Sequence, residues 1–132
     1  MELEKNIKVY IASPYTKGDP AVNVKRQLDM FDILFDLKFY PFAPLFTHFQ
    51  HITHPRPYQD WVNFDLEWVK VCNCVLRMDG ESSGADGEVE YADELGRPVF
   101  YNVDDLCKYY GHEITEELSE KAKNVVEDPY NV

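Results

Sequence analysis

The residues with the clearest chemical potential form a short run from Ser82 to Glu88, with the sequence SSGADGE. An apolar stretch at 74–78 precedes the run and predicts a buried strand, and residues 89–96 after it predict a helix that ends at Gly96. A strand, a loop of small residues and a helix, in that order, aim backbone N–H groups and the positive helix end at the loop. We therefore expect an anionic or hydroxyl-rich ligand there, with the Glu88 carboxylate in the first helical turn and in the same cleft.

These residues need a scaffold, and the rest of the sequence predicts alternating strands and helices. Strands are predicted at residues 7–12, 39–43, 72–78 and 98–101. Helices are predicted from the pair Asp19-Pro20 onwards, and at 58–71, 83–95, 104–110 and 115–126. Residues 44–57 are rich in proline and histidine and are predicted to be irregular. The alternation indicates an α/β fold of the Rossmann-like or flavodoxin-like class: a three-layer sandwich whose parallel sheet, of about four or five strands, carries helices on both faces.

The predicted sheet places three loops around one cleft. In parallel sheets of this kind a ligand lies beyond the carboxyl ends of the strands. The loops at 13–19, 44–54 and 82–88 each follow a predicted strand, so we expect them to meet there. The length of 132 residues allows one domain with one core, and residues 1–132 are predicted to form that single domain.

Composition limits the partners of this cleft. The net charge of −11 disfavours nucleic acid and anionic membranes, and no apolar stretch approaches the roughly 20 residues of a membrane span. Three cysteines, an odd number, fit a reducing compartment, and the N-terminal residues do not have the pattern of a signal peptide. We therefore expect a cytoplasmic protein that binds a small molecule and neither nucleic acid nor membrane.

Three sequence elements, taken together, suggest which small molecule. They are Tyr10 at the end of the first strand in VYIASPY, Asp65 in the helical segment NFDLEW, and the small-x-Gly-x-x-x-Glu pattern from Ser82 to Glu88. Their types and order resemble the nucleoside 2-deoxyribosyltransferase superfamily, which includes deoxynucleoside 5′-monophosphate N-glycosidases. The resemblance runs from about residue 8 to residue 101, which is most of the chain.

The resemblance implies a catalytic role for three residues. Glu88 falls where that family keeps its nucleophilic Glu, and Asp65 falls where an Asp meets the base and assists its departure. Tyr10 falls where a Tyr hydrogen-bonds the Glu and orients it. Such a set suits N-glycosidic bond cleavage, because one carboxylate can bond to the oxocarbenium-like sugar while a second acid protonates the base.

The resemblance also implies the substrate-binding residues. Ser82 matches a phosphate-contacting Ser of the monophosphate-cleaving branch, and Gly84 belongs to the same loop. The first loop is less Gly-rich than is common in the family, and Pro14 removes one backbone donor from it. Its polar side chains can still hold a phosphate. Those side chains belong to Ser13, Thr16 and Lys17. Asp86 is expected to face the cleft too, where it either repels a phosphate or meets a ribose hydroxyl.

Histidines recur at every third residue from His48 to His54, which raises the possibility of a metal site. The prolines around them make a regular helix that presents all three doubtful, so we expect His48 to line the base pocket and no metal or cofactor to be needed. Trp61 is expected in the core or in a subunit interface.

The sequence leaves the outcome of the reaction open. The substrate is expected to be a (deoxy)nucleoside or its 5′-monophosphate, cleaved through a covalent glycosyl-enzyme on Glu88, with the sugar passed to water or to another base. The alternative is a non-catalytic nucleotide sensor that uses the same cleft. Relatives in the resembled family assemble with a neighbour that completes the pocket, which implies a homodimer or a larger homo-oligomer.

Overall fold

A four-stranded parallel sheet forms the centre of the protein. In the computed structural model, which describes residues 6–125, the strands are β1 (Lys8–Ala12), β2 (Tyr40–Phe42), β3 (Cys74–Arg77) and β4 (Val99–Phe100). Their order in the sheet is β2-β1-β3-β4, and every neighbouring pair is parallel. The carboxyl ends of β1 and β3 therefore lie side by side in the middle of one sheet edge.

Helices cover both faces of the sheet. They are α1 (Pro20–Asp36), α2 (Thr47–Thr53), α3 (Tyr58–Val71), α4 (Ser83–Glu94), α5 (Val103–Tyr110) and α6 (Glu116–Lys123), with a 3-10 turn at Pro44–Phe46. Side chains alternate along β1, so Val9 and Ile11 enter one apolar cluster while Tyr10 and Ala12 enter another on the opposite face. The predicted three-layer α/β sandwich with a four- or five-stranded parallel sheet is confirmed. No helix within residues 6–125 is long and apolar enough to cross a membrane.

The start of α1 is confirmed in detail. The Asp19 carboxylate accepts hydrogen bonds from the backbone N–H groups of Ala21 and Val22, and Pro20 occupies the first helical position, where a missing N–H costs nothing.

At the other end of the chain, α6 ends at Lys123, and Val126, the last residue predicted for this helix, lies outside the described residues.

The prediction that residues 44–57 are irregular is wrong. Pro44 opens the 3-10 turn, α2 follows directly, and Pro55 and Pro57 lie after α2 has ended. The prolines therefore border the helix rather than interrupt it, and at such positions they remove no helical hydrogen bond. No residue of α2 is buried, so α2 lies over the rest of the fold as a surface helix.

Two buried amide side chains of α1 fix the loops at the carboxyl edge of the sheet. Gln27 Nε2 donates to the Ile11 carbonyl at 3.2 Å and to Ser13 Oγ at 2.8 Å, while its Oε1 accepts from the Leu45 N–H at 2.8 Å. One turn earlier, Asn23 Nδ2 donates to the carbonyls of Tyr15 and Lys17 at 2.9 and 2.8 Å. The loops after β1 and β2 are thus attached to the same helix.

The loop after β3 is fitted against the loop after β1. Gly80 has φ +119°, and a Cβ at this position would lie 2.6 Å from Pro14 Cγ. Both the backbone conformation and the contact require glycine here. The contact therefore fixes the position of the loop after β3 against the loop after β1.

Candidate active site

A cavity of about 670 Å³ lies where the three loops meet. Its walls come from the loop after β1, from α2, from the N-terminal half of α3, and from the loop that leads into α4. The volume is within the range of small-molecule sites. Of the residues predicted to bind a ligand, all six line it: Ser13, Thr16, Lys17, His48, Ser82 and Gly84.

Glu88 lines the cavity and forms a hydrogen-bonded pair with Tyr10, which is not itself a lining residue. The Tyr10 side chain is fully buried, and its hydroxyl donates to Glu88 Oε2. Glu88 lines the cavity as the sixth residue of α4, so its predicted place in the first turn is wrong. Asp86 occupies the first turn instead. The position of Glu88 is therefore set by Tyr10 more than by the end of the helix.

The environment of Glu88 favours its protonated form. The pKa of Glu88 is raised to about 8, chiefly by burial and in smaller part by the nearby Asp65, while the hydrogen bond from Tyr10 and the Arg77 guanidinium act in the opposite direction. Burial and the two carboxylates raise the pKa of Tyr10 well above its usual value. Tyr10 therefore remains a hydrogen-bond donor at every pH at which Glu88 ionises.

Asp65 lies on α3 and lines the same cavity as Glu88. Its Oδ1 is buried and has no hydrogen-bond partner among the described residues, and burial raises the pKa of its carboxyl to about 7. Because the Asp65 charge raises the pKa of Glu88, the two carboxyls are treated as a pair that titrates together. Near neutral pH such a pair holds one proton, which leaves one acid and one carboxylate for chemistry.

Asp86 does not line the cavity, contrary to the prediction. Its Oδ1 forms an ion pair with Arg77 Nη2 at 3.0 Å. Arg77 is itself buried and also donates to the carbonyls of Met78 and Gly80. Asp86 is drawn away from the ligand space by this contact, so it neither repels a phosphate nor meets a ribose hydroxyl there.

Ser82 caps α4, since its Oγ accepts from the Ala85 N–H at 3.1 Å. The hydroxyl proton stays available to a ligand, because capping uses only an oxygen lone pair. Gly84 makes room for its neighbour on α3: a Cβ here would lie 3.2 Å from the Tyr58 hydroxyl oxygen. The loop thus combines a capped helix start with close packing against the cavity wall.

The mouth of the cavity carries an ion pair that the sequence does not reveal. Lys17 Nζ lies 3.0 Å from Glu81 Oε2, and both side chains are exposed. Any anionic group that reaches Lys17 competes with Glu81 for it. Ser13 is more constrained, because it is buried and already accepts the hydrogen bond from Gln27.

Two histidines of α2 line the cavity, each with an aromatic partner. His48 Nδ1 shares a hydrogen bond with the Tyr15 hydroxyl, and His51 Nδ1 accepts from Trp61 Nε1 at 2.9 Å. Trp61 is half-buried and lines the cavity, so it is not a core residue, and its predicted place in a subunit interface stays a prediction. Sequence reasoning missed His51, Trp61 and Tyr15 as site residues. The repeat of histidines is the sequence signal for His51, but an irregular segment, as predicted for residues 44–57, would not present the histidines on one face.

The fold and the site define an α/β protein with a carboxyl-lined cavity, of small-molecule size, beyond the carboxyl edge of a parallel sheet. Residues 7–102 match the model of DUF7768, a domain family of unknown function, and the chain belongs to this family. No curated protein matches the chain.

A solved structure is similar to this chain: the 2-deoxyribosyltransferase of the psychrotolerant bacterium Bacillus psychrosaccharolyticus, described as a biocatalyst for the industrial synthesis of antiviral and antitumoral nucleosides. The sequence identity is 24% and the TM-score is 0.50, over 70% of this chain and 69% of that chain. At this identity the likeness shows a shared fold.

Proposed function

We propose that this protein cleaves the N-glycosidic bond of a (deoxy)nucleoside or of its 5′-monophosphate through a covalent glycosyl-enzyme on Glu88. The observation that carries the proposal is the partly buried Tyr10–Glu88 hydrogen bond beside a cavity that is also lined by Asp65, whose buried Oδ1 has no hydrogen-bond partner within residues 6–125. The resemblance to the nucleoside 2-deoxyribosyltransferase superfamily and the fold shared with a 2-deoxyribosyltransferase support it.

In the proposed first step, the carboxylate of Glu88 bonds to the anomeric carbon of the sugar while the C–N bond breaks and its electron pair leaves with the base. This step uses the form of the pair in which the shared proton lies on Asp65, and Asp65 gives that proton to the departing base. In the second step, water or a second base attacks the same carbon, Asp65 takes a proton from the attacking group, and the ester bond to Glu88 breaks. Water gives hydrolysis, and a base gives transfer.

Both ends of the substrate have candidate contacts in the cavity. Ser82 and the first-loop residues Ser13, Thr16 and Lys17 support a 5′-phosphate, which the positive end of α4 also favours. Glu81 acts against it by pairing with Lys17. His48 is proposed to line the base pocket. The comparison of kcat/KM for a nucleoside and for its monophosphate decides between the two substrate forms.

We further propose that residues 1–132 act as one nucleoside 2-deoxyribosyltransferase-like domain within a homodimer or larger homo-oligomer. Support comes from stacked aromatic side chains on the surface: Phe42 stacks on Trp68, which is 40% exposed, and Phe64 packs beside them at the same exposure. Clusters of this kind mark interaction sites. The cytoplasmic location and the lack of a cofactor stay predictions.

The proposed activity is tested by incubating the full chain with a panel of nucleosides and 5′-monophosphates and measuring free base by mass spectrometry. We expect base release from at least one member, and a sugar adduct on the peptide that contains Glu88 in quenched samples. Product that forms only when a second base is added identifies transfer. No base release from any member, at any pH between 5 and 9, would refute the proposal.

One observation favours a nucleotide sensor as the second candidate. With a pKa of about 8, Glu88 is largely protonated at neutral pH in the free protein, and a protonated carboxyl is a poor nucleophile. A sensor binds its ligand with no turnover, whether or not position 88 carries an acid. The Glu88 variant discussed below separates the two functions.

Substitution of Tyr10 by phenylalanine tests the role of its hydrogen bond to Glu88. The change removes a donor that favours ionised Glu88, so the pKa of Glu88 rises further and the acid limb of the pH–rate profile moves to higher pH. Because hydrogen bonds to charged groups contribute about 1.5–3 kcal/mol, kcat should fall by about 10- to 100-fold near neutral pH. Tyr40→Phe, at an exposed tyrosine of β2, is the control. An unshifted profile in Tyr10→Phe would contradict this role.

A further inference from the structure

His51 is held in one protonation form by its neighbours. Trp61 Nε1 donates to His51 Nδ1 at 2.9 Å, and the backbone N–H of Arg56 approaches the same nitrogen at 3.3 Å. An indole N–H and a backbone N–H can only donate, so Nδ1 must carry a lone pair. The ring is therefore neutral in this arrangement, and its single proton is on Nε2.

The Nε2–H of His51 has no acceptor among the described residues, although His51 lines the cavity. The neighbouring His48 differs: its Nδ1 faces the Tyr15 hydroxyl, which can donate or accept, so its tautomer is not fixed by its partner. Of the two histidines that line the cavity, only His51 has a tautomer defined by its partners, and in that tautomer Nε2 is a hydrogen-bond donor. A cavity wall with such a donor discriminates between ligands that offer an acceptor and ligands that offer another donor.

The partner of His51 connects it to the helix that carries Asp65, where the glycosidic bond is proposed to break. Its partner Trp61 lies on α3 four residues before Asp65, which is slightly more than one turn or roughly 6 Å along the helix axis. A base whose leaving nitrogen is near Asp65 would present atoms remote from the glycosidic bond to His51. In nucleobases those remote positions carry either a keto oxygen, which accepts, or an amino group, which donates.

We propose that His51 is the base-selecting residue of this cavity: its Nε2–H donates to a keto oxygen of the bound base, so the protein prefers keto bases to amino bases. The inference rests on the proposed function only in taking the occupant to be a nucleobase. Trp61 is a positioning residue in this scheme, since it fixes the tautomer that makes His51 a donor.

The test uses free bases and the wild-type chain, because a base without a sugar cannot react. Calorimetric titration with hypoxanthine against adenine, and with uracil against cytosine, compares a keto and an amino group in each pair. We expect the keto base to bind roughly 10- to 100-fold more tightly in each pair. In His51→Phe the ratio should fall to within about 3-fold, while the variant His54→Phe, changed just beyond the end of α2 and outside the cavity lining, should keep it.

A second readout is independent of any ligand. The ¹⁵N chemical shifts of the His51 ring should show a protonated Nε2 and a bare Nδ1 in the wild type, and mixed tautomers with an intermediate base preference in Trp61→Phe. Binding that favours amino bases, or a protonated Nδ1, would overturn the inference. A uniform loss across all bases in His51→Phe would assign the residue a structural role. If base selection is found but no nucleoside is cleaved, the proposed function fails and this inference stands.

Discussion

Replacing Glu88 by glutamine should abolish base release while the substrate still binds. Glutamine has the size of glutamate and can accept the hydrogen bond from Tyr10, so the cavity keeps its shape. It cannot form the ester with the sugar, and loss of a nucleophile typically lowers kcat by about 10⁴-fold or more. Single-turnover assays with the best substrate of the panel, together with calorimetric binding, measure the two effects separately.

The matched control is Glu90→Gln, because Glu90 is exposed on the same helix, two residues further on, and does not line the cavity. It should retain wild-type kcat. Turnover in Glu88→Gln within 10-fold of wild type would eliminate a covalent step on this residue. Tight binding in both proteins without turnover in either would establish the sensor.

Replacing Asp65 by asparagine should change both the rate and the shape of the pH profile. The proposed reaction needs one ionised and one protonated carboxyl, so kcat/KM of the wild type should be bell-shaped, with its maximum between about pH 7 and pH 8, where the pKa values of Asp65 and Glu88 lie. Asparagine cannot give a proton, so the fall at high pH should disappear. Removal of the Asp65 charge also lowers the pKa of Glu88, and the acid limb should move to lower pH.

The expected loss of rate in Asp65→Asn is about 10²- to 10⁴-fold for substrates whose base needs protonation. A nucleoside of a 7-methylated purine, whose base already carries a positive charge, should lose much less. Asp60→Asn, at the start of the same helix and outside the cavity lining, is the control. Equal losses for both kinds of substrate would contradict a role for Asp65 as the acid.

The sheet was predictable because it depends on local patterns and general topology, whereas the meeting of Tyr10, Asp65 and Glu88 was expected from the family resemblance. Alternating strands and helices imply a parallel sheet, and parallel strands bring their following loops to one edge. The three residues are distant in sequence, but each lies on or beside an element whose pattern is strong. Burial then raises the carboxyl pKa values, which no sequence pattern specifies.

Contacts between side chains of different loops or helices were not predictable. The Lys17–Glu81 ion pair and the His51–Trp61 hydrogen bond each join segments whose relative position exists only after folding. The error about Asp86 has a similar origin, because Arg77 reaches it from the end of β3. The error about α2 has a different origin. Prolines predict an irregular segment, but Pro44 lies before the helix and Pro55 and Pro57 lie after it, so none of them interrupts it.

The exposed character of α2 has a consequence for the evolution of this fold. Because none of its residues is buried, substitutions along Thr47–Thr53 should cost little stability. A change at Asn23 would instead release the loop after β1, and a change at Gln27 would release the loops after both β1 and β2. A helix that lines the cavity but contributes little to the core is free to diversify. New ligand preferences in descendants of this protein, natural or selected in the laboratory, should therefore accumulate on α2 first.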